Sequence, residues 1–140
     1  NGTRIVSRNL DEDADRSIPE VNQLQYLGFV LDGKDIRIRP SSLTQYYRRM
    51  NGAVKAEANR ALEDPIDKED PVIRRSSLYE RFSHKGKRNF VQYAYRAADI
   101  MKEVTGRDAI RPQVANHWEV LHDRIEKWED WAREEIQSDE

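Results

Sequence analysis

The chain has no cysteine. That excludes a disulfide framework and a thiolate metal site, and it is in keeping with an intracellular protein. There is no apolar stretch of the length needed to cross a bilayer, and the N-terminus carries no signal-peptide pattern. No membrane partner is therefore expected. Internal repeats and low-complexity tracts are missing too. Among the three histidines, His117 and His122 stand five residues apart, on different faces of a helix, and no Asp or Glu completes a metal set. No Ser-His-Asp pattern points to nucleophilic catalysis. Net charge is also scarce, at −2. Taken alone, near-neutrality argues against a nucleic-acid partner.

What is present changes that view. A chain of 140 residues is one domain, or one small domain with an appendage. Three Trp and six Tyr supply material for a core despite abundant charge. The charges are segregated. Between Ile73 and Arg96 stand Arg74, Arg75, Arg81, Lys85, Lys87, Arg88 and Arg96 against a single acid, Glu80. From Glu119 onward acids dominate, and only Arg124, Lys127 and Arg133 oppose them. A segregated basic stretch can bind phosphate even in a neutral chain.

Tyr26, Leu27, Phe29, Val30 and Leu31 form an apolar, β-prone run. After Asp32-Gly33, Ile36 and Ile38 alternate with Asp35, Arg37 and Arg39. Asp-Gly between two such runs predicts a β-hairpin over residues 23–39, turning at Asp32-Gly33. Gly28 sits inside the first run, where glycine weakens a strand unless another backbone or a ligand comes close. A short strand is expected at residues 4–8 and an exposed acidic loop over 9–19.

The rest reads as helix. Pro40 ends the hairpin, and Ser41 or Ser42 can cap the next element. Leu43, Tyr47, Met50, Val54 and Ala61 share a helical face, with Ala58 beside it. Gly52 interrupts that helix and marks a kink or a close crossing. Asp64 to Asp70 is a charged linker. Asp70-Pro71 has the form of a helix start, for a helix carrying Ile73, Leu78 and Phe82. Ser83 to Lys87 breaks it, with Gly86 as the turn residue. Phe90, Ala94, Ala97, Met101 and Val104 form the next stripe, ended by Thr105-Gly106. Pro112 opens the last helix, with Val114, Trp118, Leu121, Ile125, Trp128 and Ala132 in register. Matching stripes predict that these last two helices pack along each other. The expected fold is mainly α, a helical thumb-like bundle with an N-terminal β-hairpin (α+β).

Several of these segments resemble a known family. Tyr26-Leu27-Gly28-Phe29 resembles the Phe/Tyr-Leu-Gly-aromatic box at the end of the reverse transcriptase palm, the primer grip. Ile38-Arg39-Pro40-Ser41-Ser42-Leu43-Thr44-Gln45-Tyr46-Tyr47-Arg48-Arg49 resembles the start of the thumb in bacterial reverse transcriptases of the retron and phage-defence kind. So do the segment from Arg81 to Phe90 and Asn116-His117-Trp118. The Tyr-x-Asp-Asp box and the second metal-binding Asp of those enzymes have no counterpart here, and Gly2 stands where a lysine would precede Thr3. The resemblance implies the C-terminal piece of a longer RNA-directed DNA polymerase, with residues 1–40 ending the palm and residues 41–140 forming the thumb. It implies that the parent uses Mg2+ held by its own aspartates, that this chain is inactive alone and takes no cofactor, and that its setting is the bacterial cytoplasm. Its partners would be an RNA/DNA primer-template duplex and the parent's palm and fingers.

Each candidate site residue carries two readings. Leu27 and Gly28 are a grip on a primer backbone or an ordinary buried strand. Arg48 and Arg49, beside Tyr46 and Tyr47, track the minor groove of a duplex or form a solvated face with buried aromatic stems. Arg74, Arg75, Arg81, His84, Lys85, Lys87 and Arg88 surround a turn before a helix start, where amides, dipole and cations favour an anion, or they form a solvated basic turn. His117 is a packing or capping residue, Trp118 and Trp128 belong to the core, and Trp131 lies off the stripe. The alternative function is a self-standing helical module that binds protein or RNA without catalysis.

Overall fold

The computed structural model describes residues 28–63 and 71–138. The strand expected at 4–8, the loop at 9–19, Leu27 and the linker from Asp64 to Asp70 lie outside the described residues.

Strand β1 (Phe29–Asp32) runs antiparallel to β2 (Asp35–Ile38) in a two-stranded sheet. The loop residues are Gly33 and Lys34, one position beyond the expected turn, and Asp32 pairs with Asp35 across the ladder. Gly33 has φ +64°, and no residue other than glycine has positive φ among the described residues. Glycine first and an ordinary residue second is the type II′ arrangement, whose twist suits a hairpin. The facing aspartates would repel each other. Arg37 Nε meets Asp32 at 3.0 Å, and Arg37 and Arg107 each approach Asp35 at 3.5 Å. Beyond the turn, Ile38 is fully buried. Its N–H donates to Gln113 Oε1 at 2.8 Å, and its carbonyl accepts from Gln113 Nε2 at 3.0 Å. That side-chain amide does for the strand end what a neighbouring strand would do.

Five helices follow among the described residues: α1 (Pro40–Glu63), α2 (Ser76–Phe82), α3 (Phe90–Thr105), α4 (Arg111–Val114) and α5 (His117–Ser138). The protein is thus mainly helical with a hairpin ahead of the helices. Pro40 does not merely end the hairpin. It is the first helical residue, where a missing N–H costs nothing, and the Arg39 carbonyl accepts from Ser42 and Leu43. Neither Ser41 nor Ser42 therefore occupies the cap position. The buried stripe of α1 is Tyr46, Met50, Val54, Ala58 and Ala61. Tyr46 replaces Tyr47 on the core face because its ring stacks on Phe90, with centroids 4.6 Å apart. Gly52 makes no close crossing. It is exposed, a Cβ there would meet nothing within 4 Å, and α1 continues through it.

Three further expectations are corrected. Pro71 is buried but does not start a helix, and α2 begins only at Ser76. The intervening residues are held to α5 instead: Glu129 Oε2 accepts from the Ile73 N–H at 3.2 Å, and Glu129 Oε1 meets Arg75 at 3.5 Å. Pro112 opens only the four-residue α4, and α5 starts at His117. Finally, α5 lies along α1 and not along α3. Their side chains form one core cluster with α2, in which Met50, Val54, Leu78, Leu121 and Ile125 are buried. The buried face of α3 is mostly alanine, and Ala94, Ala97 and Ala98 cluster with Ile38, Ile110 and Val114. Small residues let the hairpin and α4 approach closely, while α1 offers the larger apolar area to α5. Val104 is 76% exposed, past the reach of either cluster. Gly106 ends α3 as expected, with φ +76° and its N–H on the Lys102 carbonyl at 2.8 Å.

The junction between α2 and α3 turns on Asn89. Its Oδ1 accepts from the Gln92 N–H at 3.0 Å, capping α3. Its Nδ2 donates to the Glu80 carbonyl at 2.8 Å and the Ser83 carbonyl at 2.7 Å. Gly86 is buried against this knot, and a Cβ there would run into the Glu80 carbonyl. Its small size is needed here for the close approach, with no positive φ.

Asn89→Asp tests the knot. The carboxylate keeps the cap acceptor but turns an acceptor toward two carbonyls. It is expected to lower unfolding free energy by about 1–3 kcal/mol. Gly52→Ala, at an exposed helical site, is expected to raise it by up to about 1 kcal/mol. Urea denaturation with an unchanged slope measures both. An Asn89→Asp protein as stable as the parent would show that the knot does not hold the junction.

Candidate functional site

Tyr46 donates its hydroxyl proton to the Phe82 carbonyl and so ties α1 to the end of α2. Burial, with smaller contributions from Tyr47 and Tyr95, pushes its phenol far above the ordinary value, so it acts as a neutral donor. A cleft of about 360 Å³ opens beside this contact. Ser42, Gln45, Tyr46 and Arg49 line it from α1. Glu80, Arg81 and Phe82 line it from α2, and Arg88, Asn89, Phe90 and Tyr93 from the junction and α3. Arg49, Arg81 and Arg88 are thus brought to one concavity with an aromatic floor. Arg81 leans over the Phe82 ring, its Cζ 4.9 Å from the centroid. Glu80 is the one carboxylate lining the cleft among the described residues, and its Oε1 accepts from the Lys87 N–H at 3.3 Å.

The other candidate residues go elsewhere. Arg48 sits next to Arg49 in sequence but faces a second hollow between α1 and α5. Arg74 is exposed ahead of α2, and Arg75 is engaged by Glu129. Lys87 is exposed on the loop. Lys85 and His84 turn toward Trp118. The Lys85 Nζ lies 5.4 Å from that ring, and the His84 ring centroid lies 5.2 Å from it. Trp118 is half-buried in this aromatic group, with Tyr79 at 4.8 Å and His122 at 4.3 Å, and is not a core residue. Gly28 does not lie inside a strand. It precedes β1 with φ +69°, and its carbonyl accepts from the Arg39 N–H at 2.9 Å. A Cβ on it would come within 3.2 Å of Ser42 Oγ and 3.4 Å of Arg39 Cζ. The close approach foreseen at Gly28 is made by this chain's own Arg39 and Ser42. Through Ser42 it borders the arginine cleft.

The reading of isolated residues missed Ser42, Gln45, Phe90 and Tyr93 as lining groups, and Asn89 as the organiser. Asn89 was detectable: an Asn directly before the first residue of an apolar helical stripe is a cap signal. The lining groups had no such signal, because they meet only when α1 crosses the α2–α3 junction.

The basic loop is held in place by neutral groups. Ser83 Oγ donates to the Tyr79 carbonyl at 2.7 Å and accepts from the Lys85 N–H at 3.1 Å. Gln92 Nε2 donates to the His84 carbonyl at 2.6 Å. His117 Nδ1 lies 2.8 Å from the Val114 carbonyl, so Nδ1 carries the proton. Its Nε2 then accepts from both the backbone N–H and the Nδ1–H of His84, each at 3.2 Å. His117, expected to be a packing or capping residue, is buried, and it also positions the His84 end of the loop. Burial holds its pKa below the ordinary 6.5. The Val114 carbonyl and Glu119 oppose that shift and His84 adds to it. Among the described residues no group of three or more His, Asp or Glu side chains can hold a metal ion, and no helix is long and apolar enough to cross a membrane.

The lowered pKa of His117 has a definite sign. Below pH 6.5 the unfolded chain takes up a proton that the folded chain resists. Stability is then complete above 6.5 and falls as pH drops from 6.5 toward the folded value. Lowering pH from neutral to about 5 is expected to reduce the thermal midpoint more in the parent than in His117→Gln. Equal losses in the two proteins would remove His117 from the account. No family model matches the chain, and no curated protein gives a significant match to it.

Proposed function

We propose that this chain is the primer-grip and thumb portion of an RNA-directed DNA polymerase similar to bacterial reverse transcriptases, and that its arginine cleft holds the sugar-phosphate backbone of a primer-template duplex. One observation supports it above the others: Arg49 of α1, Arg81 of α2 and Arg88 of the junction converge on a concavity floored by aromatic rings, and Gly28 packs behind Ser42 in its wall. Phosphate oxygens accept from guanidinium groups in a fixed fork, and the rings take the sugar faces. The α3 N-terminus opens on the same cleft, so its dipole adds to the cations. Glu80 sits at the edge and discourages a phosphate from settling at that side. Under this reading the chain positions the duplex and carries out no chemistry. The Mg2+ ions would be held by the parent's palm, and no residue here is assigned to them. The parent would act in the bacterial cytoplasm.

The test is fluorescence anisotropy over a salt series, with RNA–DNA hybrid and with double-stranded DNA. Arg81→Ala/Arg88→Ala is expected to weaken binding alike for all sequences. It should flatten the log–log salt slope on duplex DNA by roughly 0.9 for each phosphate that the variant no longer neutralises. Folding should be preserved, since exposed substitutions move stability by about 0.5 kcal/mol or less. A variant with the parent's affinity and slope would exclude the cleft from a duplex path. It would favour the non-catalytic interaction module.

A further inference from the structure

The hollow on the other side of α1 is a separate feature, and its chemistry differs from that of the cleft. It measures about 570 Å³ and is lined by Tyr47, Arg48 and Asn51 of α1 and by Arg124, Lys127, Trp128 and Trp131 of α5. No carboxylate is among these lining residues. That is unexpected on α5, where acids outnumber bases. From Glu119 to Glu135 the helix carries seven acids and only Arg124, Lys127 and Arg133. Two of those three cations face the hollow, beside both of the helix's later tryptophans. An indole is costly to leave in water, and a solvated acidic helix has no need of two half-exposed ones on its only basic side.

The rings are held in place. Trp128 Nε1–H donates to Asn51 Oδ1 at 3.0 Å, which fixes its plane, and Lys55 Nζ lies 5.7 Å from its centroid. Trp131 stands edge-on to Trp128 at 5.3 Å and 80°. Both are half-buried at the margin of the main core. Arg124 and Lys127 share Asp123, at 3.0 and 3.2 Å. Those pairs are exposed, and exposed ion pairs contribute little, so an anion can draw the cations from them.

We propose that this hollow binds single-stranded nucleic acid, taking one unpaired base against the indoles and its flanking phosphates on Arg48, Arg124 and Lys127. Flat aromatic faces ringed by cations suit a base and its phosphates, since every base has a face to stack and the backbone tracks positive charge. No carboxylate lines the hollow, so an anionic strand meets only cations and rings there. The one amide in the lining already accepts from Trp128. Stacking tolerates every base, so the site reads chiefly the presence of a base. It is independent of the duplex reading, because the cleft and the hollow share no lining residue.

The experiment titrates the full chain with short oligothymidylate, with an abasic oligomer of equal length and with polyglutamate, following tryptophan fluorescence and anisotropy. Quenching by oligothymidylate and much weaker binding of the abasic oligomer are expected. Trp131→Ala should lose roughly tenfold in affinity, the scale of one stacked base, and Trp131→Phe should recover most of it. Arg48→Ala/Lys127→Ala leaves the rings in place and should flatten the salt dependence. It keeps the test decisive if Trp131→Ala fails to fold. Arg81→Ala/Arg88→Ala should leave the quenching unchanged whatever it does to duplex binding. Equal affinity for abasic and base-bearing oligomers would overturn the proposal. So would an Arg48→Ala/Lys127→Ala protein with the affinity and salt dependence of the parent. Tight binding of polyglutamate in competition with oligothymidylate would assign the hollow to an acidic protein.

Discussion

One side-chain amide decides how the second half of the molecule is arranged. Asn89 gives its two N–H bonds to carbonyls at the end of α2 and takes the N–H of Gln92 at the start of α3. Helix ends leave backbone groups without partners, and burying such groups unsatisfied costs about 1–3 kcal/mol each. Asn89 is 7% exposed, so water does little of this work. The amide therefore joins two helices across the loop between them and dictates their mutual direction. Gly86 must be small for the loop to close on it. Once the junction is set, Arg81 and Arg88 stand on the same side, and Tyr46 closes the arrangement by donating to the Phe82 carbonyl. An ionised side chain at position 89 could cap α3 but could not donate to α2.

Helix geometry explains how one long helix serves two surfaces. Successive residues on α1 differ by about 100° in direction, so Tyr46 and Arg49 face the cleft while Tyr47 and Arg48 face the hollow. The acidic α5, which had no evident place beside a basic surface, supports it structurally. Glu129 holds the approach to α2 through the Ile73 N–H and Arg75, and so draws Arg75 away from any ligand. The basic and acidic stretches of the sequence are partly each other's partners, while Arg49, Arg81 and Arg88 gather at one concavity and Arg48, Arg124 and Lys127 at another.

Much of the fold was legible in the sequence because local physics determined it. The hairpin followed from Asp-Gly between alternating runs, and α3 ended at Gly106 where only glycine takes φ +76° without strain. The errors arose where tertiary contacts chose between equivalent local options. Tyr46 and Tyr47 are equally good stripe members, and the stack on Phe90 selects the former. Asp70-Pro71 satisfies the rules for a helix start, yet the Glu129 side chain and the burial of Pro71 and Ile73 hold that stretch apart from the helix that follows. The periods of α3 and α5 matched, but period says nothing about volume. An alanine face packs against a hairpin and a short helix, whereas Leu121 and Ile125 need Met50 and Val54. At the candidate site, the basic composition was visible and its division was not. Arg81 and Arg88 converge through Asn89, while Lys85 and His84 are drawn to Trp118.

The means of holding the basic loop also bears on what it can bind. Cations crowded on a loop repel one another, and tethering them with carboxylates would neutralise the charge a ligand needs. Here the tethers are mostly neutral: the Asn89 amide, the Ser83 hydroxyl, the Gln92 amide and the His117 ring. They grip backbone atoms and consume no cation: Arg88 lines the cleft, Lys87 is exposed and Lys85 lies over Trp118. A loop ordered in this way loses little further conformational freedom when an anion arrives, and that saving appears as affinity. The same arrangement makes the loop sensitive to one proton. His117 accepts from His84 only while its Nε2 is bare. A proton there would set two N–H groups against each other at the base of the loop. Neutral tethering thus preserves positive charge for a ligand, and it does so by relying on a histidine that burial keeps uncharged.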